Sequence, residues 1–371
     1  MPRKRLLTTL LSLAILILAP LLLFHFLQRQ PSYPLASSIS LKGISMDSPT
    51  DGWAVGEISG VPNNVLFHYH ADQWTILKPL SEGTSTMPNI DTTLQSVSMV
   101  TLNDGWAIGN TNIPEGKPVQ SGQTTVIHTQ LAGLLLHYSN GKWETVKTYA
   151  WAKLLQISMQ SATSGWLIGV RYNTADSTIL FHYNGSQWTS INLPDKLVRT
   201  GSPVAFSSLS GDSLWVTDVA GSLYHYDGKI WTQLESACGN CILHSLDMIS
   251  PREGWAVGSI YNTDKGVILH YLDDHWITQS DNTLPGINSI SMLSAADGWA
   301  AGDNGRLFHY SNGNWAEMRS PTDQIIHQLT MLSSNDGWAV GDLGTILHYQ
   351  NGSWAMVNNI TYQQGALETY K

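Results

Sequence analysis

Charged residues and cysteines are both scarce in this chain. Only 13% of its 371 residues are Asp, Glu, Lys or Arg, against about 25% in an average soluble domain, whereas 42% are hydrophobic. The composition is that of a globular protein, and the length suits two average domains or one large all-β domain.

Basic residues are few beyond the N-terminal region. Once Arg3, Lys4, Arg5 and Arg29 are set aside, 15 Lys and Arg remain against 28 Asp and Glu, a balance of −13. Such a surface repels phosphate backbones, so nucleic acid is not an expected partner.

An almost entirely apolar run occupies residues 6–27, directly after three basic residues. Twenty-two residues at about 1.5 Å each span a hydrocarbon core of roughly 30 Å. The run is longer than the ~7–15 apolar residues of a cleavable signal peptide, and Pro34 occupies a position of the best cleavage site, 34–36, where a small residue belongs. An uncleaved signal anchor is therefore predicted. A cleaved signal, which would release a secreted protein, and a buried helix remain the alternatives.

The basic residues before the run orient the N-terminus towards the cytoplasm and the rest of the chain outside. The expected organisation is a cytoplasmic stub at 1–5, a transmembrane anchor at 6–27, a linker at 28–40 and one large domain at 41–371. The expected location is the cell membrane, with that domain extracytoplasmic.

One pattern recurs seven times after residue 40. Its consensus is an apolar triplet ending in Met, then Gly-Trp-Ala-Val-Gly, a variable stretch, an apolar pair with His-Tyr, a two-residue turn and a second Trp. The fourth copy departs most, with Leu214-Trp215-Val216-Thr217-Asp218 in place of the Gly-Trp core. Phe206 is expected at the Met position of the fourth copy. Fourteen of the 15 tryptophans occupy the two repeat positions, and Trp151 lies outside them.

Each copy divides into four short strands, named A to D. Asp-Gly before the first Trp, as at Asp104-Gly105, is expected to form the A–B turn, and Asn-Gly, as at Asn312-Gly313, the C–D turn, because such dipeptides supply positive φ. Four antiparallel strands per copy predict an all-β, seven-bladed propeller. The tail from Asn358 holds no eighth copy and is a candidate strand for latching the ring.

The Gly-Trp-Ala-Val-Gly core followed by x-Asn-Gly-x-Trp resembles the repeat of the photosystem II assembly and stability factor family. It is also similar to the BNR, or sialidase-type Asp-box, propellers; Ser139-Asn140-Gly141-Lys142-Trp143 keeps the turn and the Trp of that box. The resemblance implies a seven-bladed propeller and, from the photosystem II factors, a role in assembling a membrane complex.

The seven His of the His-Tyr motif occupy equivalent positions, which ring symmetry keeps far apart. They are expected to bond a partner inside their own blade rather than to bind metal together. The set is His68, His137, His182, His225, His270, His309 and His348. No cofactor or metal site is predicted.

The two cysteines, Cys238 and Cys241, lie in the linker between the fourth and fifth copies. In an oxidising compartment they are expected to form a small structural disulfide. Free thiols, and redox or metal use, are the alternatives.

The B–C connections are unequal, and the longest is the stretch 110–132 in the second copy. B–C and D–A loops emerge on the same face, called here the loop face, which is the predicted binding surface. Neutral variation of loop length is the alternative explanation. The candidate binding residues are Asn63, Glu115, Lys117, His128, Arg171, Tyr172, Asn173, Tyr261, Asn262 and Lys265.

Three functions are compatible with these features. The first is a non-enzymatic, monomeric binding or assembly propeller for a protein or glycan. The second is a sialidase-like glycoside hydrolase, which needs an arginine cluster and a set of catalytic carboxylates; the third is a propeller lectin. The arginines after the anchor show no recognisable clustering; they are Arg171, Arg199, Arg252, Arg306 and Arg319.

Overall fold

The computed structural model describes most of the chain after residue 38. The described residues are 39–58, 64–77, 92–116, 119–121, 124–126, 128–172, 178–195, 197, 203–209, 212–234, 238–279 and 284–362. The expected stub, the expected anchor and all but the end of the expected linker lie outside them. No helix within this described part has the length and apolarity needed to cross a membrane.

Seven four-stranded antiparallel sheets follow one another along the chain, which confirms the predicted seven-bladed propeller. Strand A of each blade lines a central channel and strand D lies outermost. The strands of blade 1, in the order A to D, are β1 (Ile39–Ser48), β2 (Asp51–Ile58), β3 (Asn64–His70) and β4 (Gln73–Ile76).

Blade 2 has the longest strands and an additional hairpin. Its strands A to D are β5 (Thr92–Thr101), β6 (Asp104–Pro114), β9 (Thr129–Ser139) and β10 (Lys142–Ala150). The hairpin is formed by β7 (Val119–Ser121) and β8 (Thr124–Val126).

The remaining five blades repeat the same order. Blades 3 and 4 consist of β11 (Ala152–Ser161), β12 (Ser164–Arg171), β13 (Thr178–Tyr183), β14 (Trp188–Ser190), β15 (Pro203–Ser208), β16 (Ser213–Asp218), β17 (Leu223–Asp227) and β18 (Trp231–Gln233). Blade 5 consists of β19 (Cys241–Ser250), β20 (Glu253–Ile260), β21 (Gly266–Leu272) and β22 (His275–Thr278). Blades 6 and 7 consist of β23 (Ile287–Ser294), β24 (Asp297–Gly302), β25 (Leu307–Ser311), β26 (Asn314–Met318), β27 (Ile326–Ser333), β28 (Asp336–Gly341), β29 (Ile346–Gln350) and β30 (Ser353–Met356).

The core lies between successive blades, and tryptophans dominate it. Trp53 of blade 1 contacts Trp143 of blade 2 edge to face, with ring centroids 5.4 Å apart, and it also contacts Tyr138 at 4.9 Å. Trp299 of blade 6 contacts Trp354 of blade 7 in the same way, at 5.9 Å. These large apolar surfaces, together with the preferred edge-to-face geometry, stabilise each blade-to-blade interface.

The ends of the ring are joined by a strand from the C-terminal tail. β31 (Ile360–Tyr362) pairs in parallel with β4, so blade 1 becomes five-stranded. The hydroxyl of Thr361 lies 3.1 Å from that of Thr75 and donates to the carbonyl of Trp74. The expected latching strand is therefore present within residues 360–362.

Two expectations about the repeat were wrong. The A–B turn precedes the Asp-Gly pair: in blade 2 it is formed by Leu102 and Asn103, and β6 already begins at Asp104. Gly105 belongs to the strand because it pairs with Met99 of β5 and Tyr138 of β9, and a Cβ there would meet the side chain of Met99.

The fourth copy was also misaligned. Trp215 pairs with Ser207, so Ser208 occupies the position that Met holds elsewhere and Phe206 occupies that of the preceding apolar residue.

Asn-Gly does form the C–D turn, as expected, in three blades. Asn140-Gly141, Asn312-Gly313 and Asn351-Gly352 all have positive φ at both residues. At Asn184 the side-chain oxygen instead accepts hydrogen bonds from the backbone of Ser186 and Gln187, which gives a different tight turn.

Candidate functional site

A β-bulge near the start of strand A places one side chain of each of six blades at the loop-face end of the channel. In blade 1, Leu41 pairs with Gly56 and Gly43 with Val55, so Lys42 is the extra residue. Bulges re-aim a side chain in this way, and they are frequent at the rims of closed sheets. The bulge residues that line the channel are Lys42, Gln95, Leu155, His244, Asn288 and His327.

Deeper in the channel, a ring of small polar residues lines the wall, and five of them accept a hydrogen bond from the next blade. Ser45 accepts a hydrogen bond from the backbone N–H of Met99 in blade 2, and Ser291 accepts one from Met331 in blade 7. The position carries Ser45, Ser98, Ser158, Ser207, Asp247, Ser291 and Thr330. The channel they line has a cavity volume of about 450 Å³.

Asp247 is the single carboxylate of this ring. It accepts a 2.7 Å hydrogen bond from the N–H of Met292, the same bond that serine makes in other blades. Burial in the channel wall raises its pKa to about 6, against the smaller opposing effect of that hydrogen bond. Asp247 therefore titrates closer to neutral pH than an exposed aspartate does.

At the channel mouth, a polar cluster joins the first and last blades. His327 Nε2 lies 2.7 Å from Asp342 Oδ1 and 3.0 Å from Lys42 Nζ, while Ser40 donates to the same carboxylate oxygen. Burial lowers the pKa of His327, and the hydrogen bond to Asp342 only partly offsets this. Although burial opposes it, the contacts with Ser40, His327 and Lys42 lower the pKa of Asp342.

The neighbouring bulge residues are hydrogen-bonded as well. His244 Nε2 lies 2.9 Å from the hydroxyl of Ser259, and burial lowers the pKa of His244. Asn288 donates to both Asp303 and the backbone carbonyl of Ile326. His244 thus bonds within blade 5, whereas the Asn288 bond to Ile326 crosses to blade 7.

The repeated histidines lie where their equivalence predicts, each inside its own blade. His309 stacks on Trp299 with ring centroids 4.0 Å apart, and its Nε2 lies 2.8 Å from Asp297 at the start of β24. The corresponding partners of the seven histidines are Asp51, Asp104, Ser164, Ser213, Glu253, Asp297 and Asp336. No group of three possible metal ligands occurs among the described residues.

Seven of the ten candidate binding residues are described, and they lie on blades 2, 3 and 5. Glu115 and His128 are brought together, because the N–H of Glu115 donates to the carbonyl of His128 at 2.7 Å. Arg171 and Tyr172 belong to blade 3. Asn63, Lys117 and Asn173 lie outside the described residues.

In blade 5, Tyr261, Asn262 and Lys265 form the B–C connection. Tyr261 is 54% exposed, and its N–H donates to the carbonyl of Asn240 inside the cysteine loop. Cys238 and Cys241 are disulfide-bonded, so this linker is fixed beside the Tyr261 loop. Five large apolar side chains are exposed on the loop face, namely Tyr172, Val219, Tyr261, Ile325 and Leu343.

The long connection of blade 2 is largely strand rather than loop. β6 continues to Pro114 and β9 starts at Thr129, so both ends of the stretch 110–132 belong to the sheet. Asn110 is buried, and its amide bonds the backbone of Leu154 in blade 3. The sequence did not reveal this strand extension, because an extended strand and an inserted loop lengthen the segment between two motifs equally.

A groove of about 660 Å³ opens on the loop face between blades 2 and 3. Lys147 and Tyr149 line it from β10, and Arg171 lines it from the end of β12. Ile179, Phe181, Leu193 and Asp195 line it from blade 3. Among the candidates from sequence, Arg171 lies in this groove.

The other residues of the groove were missed by sequence analysis. The signal available was the density of basic residues: residues 142–199 carry six Lys and Arg and three Asp and Glu. The remainder after residue 38 carries nine basic and 25 acidic residues. The described arginines lie apart: Arg171 in blade 3, Arg252 at an A–B turn in blade 5 on the opposite face, and Arg306 and Arg319 in blade 6.

No protein-family model matches the chain, and no curated protein matches it in sequence. Solved propellers do match its structure. YCF48 bound to a D1 peptide has a TM-score of 0.59 and 16% identity, and the match covers 86% of this chain and 95% of that one. YCF48 from Cyanidioschyzon merolae has a TM-score of 0.60 and 15% identity, with 85% and 97% covered.

The WD40 propeller domain of Doa1 is similar at a TM-score of 0.55 and 10% identity, covering 85% of this chain and 96% of that chain. At these identities the likeness concerns the fold. The chain is a seven-bladed propeller that resembles YCF48, the photosystem II assembly factor.

Proposed function

We propose that this protein is a non-enzymatic binding or assembly scaffold whose loop face holds a protein partner. The observation that carries the proposal is that departures from the repeat gather on that face. The additional hairpin of blade 2, the exposed Tyr172 and Tyr261 and the groove between blades 2 and 3 all lie there. Irregular loops on a rigid scaffold are the usual place for binding.

Two further observations support a protein partner. Tyr172 and Tyr261, both aromatic and exposed, lie on this face, and exposed aromatic side chains are typical of protein-binding surfaces. One structurally similar propeller, YCF48, is known with a D1 peptide bound.

We further propose that the propeller is extracytoplasmic and monomeric, and that residues 6–27 anchor it in the cell membrane. The apolar run and the basic residues before it support the anchor. Protease added to intact cells should remove the propeller and leave a short protected N-terminal fragment. A mature N-terminus near Ser37 would show a cleaved and released form instead.

The binding face is tested by site-specific photo-crosslinking in living cells. A photo-reactive residue at Tyr172 or Tyr261 should capture one common protein. The same residue at Leu102, which is 50% exposed on an A–B turn of the opposite face, should not. Equal capture from both faces, or a strong signal on a glycan array without protein crosslinks, would contradict the proposal.

A deletion tests the blade 2 extension as the main contact. Replacing residues 116–127 by Asn-Gly joins Glu115 to His128, whose backbones already bond, through a two-residue hairpin turn. No blade strand is lost, so cooperative unfolding should persist. Crosslinking of the partner should fall more than tenfold, which corresponds to about 1.4 kcal/mol.

A further inference from the structure

The outer edge of β10 is unlike those of the other blades. Strand D has nine residues in blade 2 and three to five in every other blade. Residues 144–148 of β10 are all exposed, between the buried Trp143 and Tyr149. In the described part of the molecule no strand pairs with this edge.

The fold itself shows that such an edge accepts another strand. In blade 1, β31 adds to the outermost strand β4 through main-chain bonds. Edge strands left uncovered are usually short, because a long free edge is a template for pairing with other chains. A β-bulge at Val146 divides β10, and residues 147–150, which border the groove, form the edge available for an extended segment.

The charge around β10 complements an acidic segment. Lys147 and Arg171 line the groove, and neither has a carboxylate partner among the described residues, whereas Lys142 pairs with Glu144. Lys147 shares the blade 3 side of β10 with Tyr149, since residues two apart in a strand face the same way. Asp195 also lines the groove, so basic groups exceed acidic ones two to one there.

We infer that an extended peptide segment of the partner adds to β10 as a fifth strand of blade 2, with a carboxylate held between Lys147 and Arg171. Main-chain bonds to the edge give affinity, and the groove with its two cations selects side chains, as in other cases of strand addition. The inference rests on the proposed scaffold function and gives its partner a chemical class.

Lysine on an edge strand has another common use, which is to prevent self-association. That role predicts no preference among bound peptides. Reversing the charge of Lys147 should therefore change the bound peptides only if Lys147 selects them. Lys142, on the same edge but outside the groove, provides a matched control.

The test is a selection of displayed random decapeptides on the full-length protein in detergent. Strand addition predicts enrichment of sequences that alternate β-branched or aromatic residues and carry Asp or Glu. On the double variant K147E/R171E the preference should switch to Lys or Arg, which also shows that the variant is folded. The control K142E/R319E should keep the acidic preference.

Affinity measurements complete the test. One enriched peptide, synthesised with a fluorophore, should lose at least tenfold in affinity for K147E/R171E and less than twofold for K142E/R319E. Two versions of this peptide, one with backbone N-methyl groups at odd positions and one at even positions, should be compared. Only one of them should lose binding, because alternate N–H groups of a strand point to the same edge. Methylated peptides that both bind, or both fail, would rule out strand addition.

The outcomes also separate this inference from the proposed function. Enrichment of peptides that ignore the charge reversal, or no enrichment at all, overturns the β10 site. The photo-crosslinking from Tyr172 and Tyr261 would still decide whether the loop face holds a protein.

Discussion

Trp338 of blade 7 packs against Tyr69 of blade 1, with ring centroids 4.6 Å apart. The same Trp338 meets Trp74 edge to face at 5.6 Å. This is the contact that Trp299 makes with Tyr349 and Trp354 one blade earlier. The interface that closes the ring is thus built like those between consecutive blades, and β31 is the element that distinguishes it.

Thr361→Pro should destabilise the propeller through loss of β31. Proline removes a backbone donor and cannot continue the parallel ladder on β4. Loss of the strand is expected to lower the unfolding free energy by about 2–3 kcal/mol. Thr361→Val keeps the branched shape and loses only the hydroxyl contacts, so it should cost less than ~1 kcal/mol. Equal urea midpoints for the two variants would show that β31 does not hold the ring.

Asp247→Ser should stabilise the protein at neutral pH. The pKa of Asp247 is about 6 in the folded protein, above that of an exposed aspartate, so its favourable contribution is complete at low pH and is lost as pH rises through 6. Serine makes the same bond to the next blade without a buried charge. The gain at pH 7.5 should be on the order of 1–2 kcal/mol.

The same measurement at pH 4 provides the control for Asp247→Ser. Near pH 4 the wild-type carboxyl is largely protonated in the folded state, so the stability difference should shrink. Calorimetry over pH 4–8 checks this, and a pH-independent difference would contradict the assignment.

His309→Ala should weaken folding without a specific effect on binding. The imidazole covers Trp299 and bonds Asp297, and its loss leaves a half-buried carboxylate without its partner. The free energy of unfolding should fall by roughly 1–3 kcal/mol. Thermal unfolding combined with loop-face crosslinking tests this; abolished crosslinking in a fully folded variant would make His309 part of the site.

The two glycines of the blade 7 motif should differ in sensitivity to alanine. A Cβ at Gly341 would meet the backbone carbonyl of Ile325, whereas one at Gly337 would chiefly meet the flexible end of Met331. Gly341→Ala should therefore lower the free energy of unfolding by about 2–4 kcal/mol, and Gly337→Ala should lower it less, because a side chain can move and a paired strand cannot. Similar denaturant midpoints for the two variants would contradict the close approach of β27 and β28.

The sequence by itself determined the blades. Trp, His-Tyr and Asn-Gly recur at fixed places, and short apolar strands separated by tight turns are set locally, within a few residues. The pairing of His309 with its own blade, the seven-bladed ring and a latching strand in the tail all followed from that repetition.

Only the tertiary structure decided which departures from the repeat matter. The Asp-Gly pair of blade 2 lies in the strand rather than in the turn because Asp104 and Gly105 pair with β5 on one side and β9 on the other. The ends of the stretch 110–132 became strand because Asn110 bonds Leu154 in the next blade. Lys147 and Arg171 share one groove although 24 positions separate them in the chain. Each of these depends on two distant segments meeting, and no local pattern encodes the distance between them.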